Sequence, residues 1–466
     1  MLNKTKLMLG AGIGVVGIIV VVVAIIFGGR GSKQAGGAVC GNGLCETGES
    51  VTNCAKDCGG KVTGTTRLVI WGAFDDGAVY DQIINEYKAN NKNVEVSYVK
   101  KDPATYEKDV VDALASGQGP DIWQIHNDWL PKHRLKIAPA PVTIFTLDDY
   151  KKTFVPAAYD DLVYGGKIYG VPLYVDNMAL FYNQTLIGKA NLLDVPKTWN
   201  DFITASEKMT ILDNADRVVQ AGAVLGTSNN IQRPMDILYT LMMQNMQGKL
   251  GMTNTEDTEA TFNQSTTVGA EAYYPGTKAL DLYTSFARPA KETYCWNAAL
   301  PDGLSVFING QAGMMFGYSY MVPQIQKRNP ALKFGIAMMP QIKGADVELT
   351  IANYWPLVVS VNSKNTDEAW KFLKFASSAT GDGYYTSNTH LPSSRMDAGR
   401  GLIMEDAYGI FHDQAKISRS WYKGDATAVD KIFSDTITSV ILYNQPAQAA
   451  LDAAARLVSE KLKQYQ

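Results

Sequence analysis

Histidine is scarce in this sequence of 466 residues, and its scarcity limits the chemistry to be expected. The chain holds only His126, His133, His390 and His412. They show neither the H-E-x-x-H spacing of a zinc site nor a pattern typical of a nucleophile with its base. The sequence therefore predicts no histidine-based metal centre or catalytic triad, although its 46 acidic residues leave carboxylate chemistry open.

An excess of basic residues is also missing. Lys and Arg number 43 against 46 Asp and Glu, for a net charge of -3. Proteins that follow a phosphate backbone usually carry a basic surface, so we expect no nucleic-acid partner. No G-x-x-x-x-G-K-[ST] motif occurs, which argues against nucleotide hydrolysis by this chain. With 46% hydrophobic residues, most of the chain predicts folded domains rather than disorder.

A single long apolar run stands near the start of the chain. Every residue between Leu7 and Phe27 is uncharged, and as a helix the run would cross a hydrocarbon core of about 30 Å. No A-x-A-like cleavage site follows it. The sequence therefore predicts an uncleaved, single-pass membrane anchor over residues 1–28 and a linker over residues 29–39.

Four of the five cysteines lie close together just after this run. Cys40, Cys45, Cys54 and Cys58 follow a C-x4-C-x8-C-x3-C spacing, unlike the C-x2-C pairs of a zinc ribbon, so zinc is the weaker alternative. Residues 40–60 contain too few apolar side chains to fold without covalent links. We therefore expect a neck with two disulfides, which places the rest of the chain on the extracellular face of the cell membrane.

The neck resembles short extracellular repeats with the pattern C-G-x-G-x-C-x-x-G-E…C-x-x-D-C. Its Glu49 and Asp57 could bind a calcium ion through their oxygens or could be solvated acids of a stapled spacer. No other cofactor is expected. The remaining cysteine, Cys295, is predicted to be a buried free thiol.

From Thr65 onward, strand-like and helix-like stretches alternate, which predicts an α/β fold with parallel strands. Strands are expected near 67–71, 94–99 and 120–125, and helices near 79–87 and 106–115. Ligands of such sheets lie beyond the carboxyl ends of the strands, so the loops at 73–77 and 126–129 are candidate walls of a site. In the first loop, Asp75 and Asp76 could cap the following helix or contact a ligand.

Six segments along this region resemble the sugar-binding family of extracellular solute-binding proteins of ABC importers, which includes maltose-binding protein. They occur in the family's order with similar spacing. The segments are ALASGQGPDI at 113–122, GVPLYVDNMALFYN at 170–183, PKTWNDF at 196–202, FINGQAGM at 307–314, AWKFLKF at 369–375 and LPSSR at 391–395.

The resemblance implies a clamshell of two discontinuous α/β lobes that close on a ligand. Lobe 1 would comprise residues 65–175 and 355–391, and lobe 2 would comprise residues 176–354 and 392–466. It further implies a non-enzymatic protein that captures a sugar or oligosaccharide and delivers it to permease subunits served by a separate ATPase. A tethered sensor for a signalling partner and an extracellular carbohydrate-active enzyme remain alternatives.

The resemblance also implies which residues face the cleft. Sugar sites combine aromatic rings, which stack on C–H faces, with side chains that bond hydroxyls. Three candidates have alternatives, since Asp176 could instead stabilise the hinge, Arg395 could pair with a surface acid and Trp355 could face the core. The candidate ligand-binding residues are Asp128, Trp129, Asp176, Tyr318, Tyr320, Trp355, Trp71, Trp296 and Arg395.

Overall fold

The computed structural model describes residues 65–268, 270–398 and 406–464. The predicted anchor between Leu7 and Phe27, the linker, the disulfide neck and its calcium alternative lie outside these residues. Within them, no helix is both long enough and apolar enough to cross a membrane.

Strands are distributed along the whole described region. They are β1 (Thr66–Gly72), β2 (Val94–Lys100), β3 (Ile122–Gln124), β4 (Val163–Tyr164), β5 (Lys167–Ile168), β6 (Asp176–Asn177), β7 (Ala179–Asn183), β8 (Ile211–Leu212), β9 (Val218–Ala223), β10 (Thr266–Val268), β11 (Glu271–Tyr273), β12 (Ala312–Gly317), β13 (Phe334–Ala337), β14 (Thr350–Asn353), β15 (Leu357–Val359) and β16 (Ser418–Arg419).

Helices separate most of these strands. They are α1 (Ala78–Asn90), α2 (Tyr106–Ala115), α3 (Leu130–His133), α4 (Leu147–Thr153), α5 (Pro156–Leu162), α6 (Gln184–Lys189), α7 (Trp199–Met209), α8 (Pro234–Met246), α9 (Pro275–Ser285), α10 (Gly303–Ile308), α11 (Val322–Arg328), α12 (Thr366–Ala376), α13 (Ala379–Thr389), α14 (Asp406–Ala415), α15 (Ala426–Leu442) and α16 (Ala447–Lys463).

Lobe 1 is built on a sheet with the order β15-β3-β1-β2. The pairs β1–β2 and β1–β3 are parallel, as the sequence predicts. Strand β15 returns from far along the chain and pairs antiparallel with β3. The apolar sides of α1 and α12 cover one face, where Ile83 and Trp370 are fully buried. The apolar residues of the early strands and helices thus form the core that the sequence pattern indicates.

Lobe 2 is built on a sheet with the order β13-β7-β12-β9-β8. Its central helix, α8, is buried on nearly every side, and the helix reads as an almost continuous apolar run for that reason. Trp199 opens α7 behind a capping box of Thr198 and Asp201 and packs in the core. Cys295 is a buried free thiol in the same core, as expected.

A small third sheet, β16-β14-β6, joins the two lobes. Asp176 pairs with Asn353 and Asn177 with Ala352 in antiparallel register, so two crossing segments lie side by side. A third segment follows α13, where the backbone N–H of Val175 donates to the carbonyl of Pro392 at 3.0 Å. The described residues therefore form a two-lobed α/β fold with the chain passing repeatedly between the lobes.

Candidate functional site

A cluster of aromatic rings forms a surface of lobe 1 at the carboxyl ends of β1 and β3. The Trp355 ring lies 4.9 Å from Phe74, 5.0 Å from Trp129 and 5.3 Å from His126, measured between ring centroids and in edge-to-face geometry. Phe74 is 51% exposed, and the two tryptophans are half-buried. We call Phe74, His126, Trp129 and Trp355 the aromatic wall.

The loop that carries Phe74 is held by hydrogen bonds on either side of it. The N–H of Ala73 donates to Gln124 Oε1 at 3.1 Å, and the carboxylate of Asp75 accepts from the hydroxyls of Tyr80 and Tyr385. Burial raises the pKa of Asp75, while these bonds oppose the shift. The capping alternative for this acid was wrong, because Gly77 is the N-cap residue of α1 and no side chain caps the helix.

Lobe 2 presents polar side chains near the start of α8. The carboxylate of Asp236 accepts from Arg233 Nε at 2.7 Å and from the Tyr318 hydroxyl at 2.8 Å. The Arg233 guanidinium lies 5.6 Å from the centre of the Tyr318 ring, which stacks on Tyr320. We call Arg233, Asp236, Tyr318 and Tyr320 the polar wall.

Arg233 adopts a strained backbone conformation in this wall. Its φ of 51° and ψ of 48° lie in the left-handed region, and Pro234 follows it. Such a conformation costs on the order of 1–3 kcal/mol for a residue with a side chain and persists where surrounding contacts enforce it. The bond to Asp236 is one such contact, and it fixes the direction of the guanidinium.

Asp176 links the hinge to the polar wall. Its Oδ1 accepts from the N–H of Ser319 at 3.2 Å and from that of Asn177 at 2.9 Å, so it holds the turn that carries Tyr318 and Tyr320. Burial raises the pKa of Asp176 to about 7 against the lowering effect of these bonds. With 3% of its surface exposed, it presents little area to a ligand in this conformation.

Beside the aromatic wall, Asp128 and Lys423 connect lobe 1 to lobe 2. The carboxylate of Asp128 binds Lys423 Nζ at 2.9 Å and the His126 ring, and His126 Nε2 lies 3.2 Å from Asn353 Oδ1 on the hinge. Lys423 lies over the rings of Trp421 and Tyr239 in lobe 2. The aromatic wall therefore contacts the hinge through His126 and reaches lobe 2 through Asp128 and Lys423, whose charge is also influenced by Asp236 of the polar wall.

Most of the predicted site residues come together, but two of them do not. Trp296 is fully buried in the core of lobe 2, where its Nε1 donates to Asn230, because the chain there runs beneath the surface. Arg395 binds the carbonyl of Ser377 at 2.7 Å and the carboxylate of Asp397 at 2.8 Å, which matches its alternative as the partner of an acid.

The remaining aromatic candidates differ in how accessible they are. Tyr318 is fully buried with its hydroxyl bound to Asp236, whereas Tyr320 beside it is 43% exposed and free to contact a ligand face. Trp71 packs against the same apolar cluster as Trp129 and Trp355, with the Lys101 ammonium 3.6 Å above its ring. Tyr320 is thus the stacking candidate of the tyrosine pair.

Sequence reasoning missed Phe74, Arg233, Asp236 and Lys423. Phe74 lies in a loop that the sequence marks as a site wall, so an exposed aromatic there was a usable signal. The other three belong to different stretches of chain that meet only in the fold, and no local spacing indicates them. Aromatic rings on one side, with a guanidinium and hydroxyls on the other, suit a ligand with apolar faces and several hydroxyl groups.

Comparisons with known proteins agree with this geometry. A family model described as bacterial extracellular solute-binding protein matches residues 71–382. A Brucella abortus protein named as a binding protein is 23% identical over 335 residues, which cover 71% of this chain and 76% of that protein. The maltotriose-binding protein of Pyrococcus abyssi is 22% identical over 325 residues, 67% of this chain and 62% of that protein.

Solved structures share the fold. The cyclic α-maltosyl-1,6-maltose binding protein from Arthrobacter globiformis superposes with a TM-score of 0.72 at 19% identity, covering 86% of this chain and all of that one.

Proposed function

Because the chain belongs to the bacterial extracellular solute-binding protein family, we propose that it captures a sugar or oligosaccharide between its two lobes for an ABC importer. The resemblance seen in the sequence is confirmed by the family match and by the structural neighbours. Relatives in this comparison are named as binding proteins, which supports a binding rather than a catalytic role.

The observation that carries this proposal is the aromatic wall. Trp355, Trp129 and Phe74 present ring surface at the carboxyl ends of the lobe 1 strands, where α/β sheets bind their ligands. Such rings match the C–H faces of a sugar, and the polar wall supplies the donors and acceptors that its hydroxyls need. Asp236, the acid of the polar wall, is already paired with a guanidinium and a hydroxyl, so a neutral ligand leaves no charge uncompensated.

Isothermal titration calorimetry with a panel of glycans tests the ligand class. The panel contains linear and cyclic glucose oligosaccharides, mannose oligosaccharides, a glycerol phosphate and a short peptide. A neutral oligosaccharide should bind with an affinity that changes little between low and high salt, because no ion pair forms. Binding of only the phosphate or the peptide, with steep salt dependence, would contradict the proposal.

We also propose that residues 1–28 anchor the protein in the membrane, with its lobes outside the cell, beside permease subunits and a separate ATPase. The uncharged run between Leu7 and Phe27 and the extracellular character of the family support this arrangement. Full-length protein should remain with membranes after a carbonate wash and should co-purify with a permease after crosslinking in cells. Release of intact protein by the wash would contradict the anchor, and co-purification with a sensor kinase instead would favour the sensing alternative.

A further inference from the structure

An ion pair joins the two lobes beside the aromatic wall. Asp128 follows β3 in lobe 1, whereas Lys423 belongs to lobe 2. The next residue, Gly424, packs closely on α16 of that lobe, because a Cβ added there would lie 3.0 Å from the Lys461 carbonyl oxygen. The distance from Lys423 Nζ to Asp128 Oδ2 is 2.9 Å, with side chains that are 10% and 3% exposed. The contact is therefore a direct and largely dehydrated bond between the lobes.

Both carboxylate oxygens of Asp128 face protein groups. Oδ1 contacts the His126 ring, and Oδ2 forms the ion pair with Lys423 without the alignment of a hydrogen bond. Burial alone would raise the pKa of Asp128, but the charges and hydrogen bonds of His126 and Lys423 hold it well below its ordinary value. Asp128 is thus charged and paired with His126 and Lys423, which differs from the sequence-based expectation that it binds sugar hydroxyls.

Lys423 has further acidic neighbours within its own lobe. Burial lowers its pKa, but Asp128, Asp236 and Asp430 together raise the pKa above its usual range. When the lobes separate, Lys423 therefore remains near the negative charges of Asp236 and Asp430, and Asp128 remains in contact with the His126 ring. Neither charge is left isolated in an apolar environment, which would make separation prohibitively costly.

We propose that the Asp128–Lys423 ion pair sets the balance between open and closed lobes, and that Asp128 is a positioning residue rather than a ligand contact. The inference rests on the proposed clamshell function. If only the closed state binds the ligand, the apparent Kd equals the intrinsic Kd of that state divided by the fraction of molecules that are closed. Breaking the pair should therefore weaken binding without removing a contact to the ligand.

Hydrogen–deuterium exchange on ligand-free, full-length protein tests the ion pair without any sugar. The variants are Asp128→Asn, Lys423→Met and the double variant, and the readout is the exchange of peptides covering residues 125–133 and 419–425. Amides there are hydrogen-bonded, for example from Asn127 to the Tyr354 carbonyl at 3.1 Å. Lys431→Met is the matched control, since it removes an exposed i,i+4 pair with Asp435 on α15.

Each single variant should speed exchange in both peptides about fivefold or more, while the control leaves it unchanged. The double variant should resemble either single one, because the second change removes a bond that is already broken. Calorimetry with whichever glycan binds should then show an affinity loss of about five- to 150-fold. Unchanged exchange in Asp128→Asn would overturn the proposal.

Purely additive effects of the two substitutions on the exchange rate would overturn it too. The comparison of the double variant with the single variants remains a valid test even where one substitution also lowers the stability of the whole fold. Failure of the glycan panel with a positive exchange result would instead refute the ligand class and leave the ion pair standing.

Discussion

Replacing Trp355 by alanine should separate ligand binding from folding. The ring makes three edge-to-face contacts in the aromatic wall, at 4.9 to 5.3 Å between centroids, and is half-buried. Aromatic pairs contribute about 0.5–1.5 kcal/mol each, so losing these three should lower the free energy of unfolding by about 1.5–4.5 kcal/mol. If the ring also stacks on the sugar, affinity should fall by about 2 kcal/mol, roughly thirtyfold in Kd.

Calorimetry and thermal denaturation on the same samples distinguish the two effects. Ile70→Val, in the buried core of lobe 1, should cost about 0.5–1.5 kcal/mol of stability and leave Kd unchanged. Tyr443→Ala removes an aromatic ring from an exposed position at the end of α15 and should change neither quantity. If Trp355→Ala binds its sugar as tightly as the unaltered protein, the reasoning is refuted, and Tyr320 becomes the stacking candidate.

Three further results are expected. Burial raises the pKa of Asp176 to about 7, so the folded state binds more protons than the unfolded state between about pH 4 and 7. The free energy of unfolding should therefore fall as pH rises through that window. In urea titrations, Asp176→Asn should flatten this pH dependence. Gly222→Ala should destabilise lobe 2 by at least about 2 kcal/mol, because its Cβ would lie 1.9 Å from the Ser206 carbonyl, whereas Gly188→Ala, with open space around it, should be neutral or stabilising. Non-reducing mass spectrometry should find the four neck cysteines blocked, and the buried Cys295 should be alkylated only after unfolding. Neck thiols that react with the alkylating reagent unless zinc is present would contradict the disulfides.

The sequence predicts the early part of the fold well because its signals are local. Helix α2 occupies Tyr106–Ala115 as its apolar spacing indicates, and β1 to β3 pair in parallel as alternating strands and helices require. The antiparallel partner β15 lies far along the chain, and no nearby residue reveals its direction.

Prediction of the site succeeds for residue types and fails for long-range partners. Trp129 and Trp355 were recognised as aromatic residues in a suitable place, and they contact each other in the fold. Trp296 has the same residue type but is in the core, since sequence alone does not tell an exposed ring from a buried one. Asp128 was recognised as important, whereas its partner Lys423 is brought near only by the third crossing of the chain.

The repeated crossing between lobes has a consequence for how this protein is synthesised. Lobe 1 cannot complete its sheet until β15 has been made, long after β3, and lobe 2 waits for α15 and α16 at the end of the chain. Contacts between distant parts of a chain form slowly because a long loop must close first. Until then, β3 has an open edge that could pair with another strand. A nascent chain therefore emerges with two half-built lobes, and their open strand edges and apolar faces stay exposed until β15, α15 and α16 have been made.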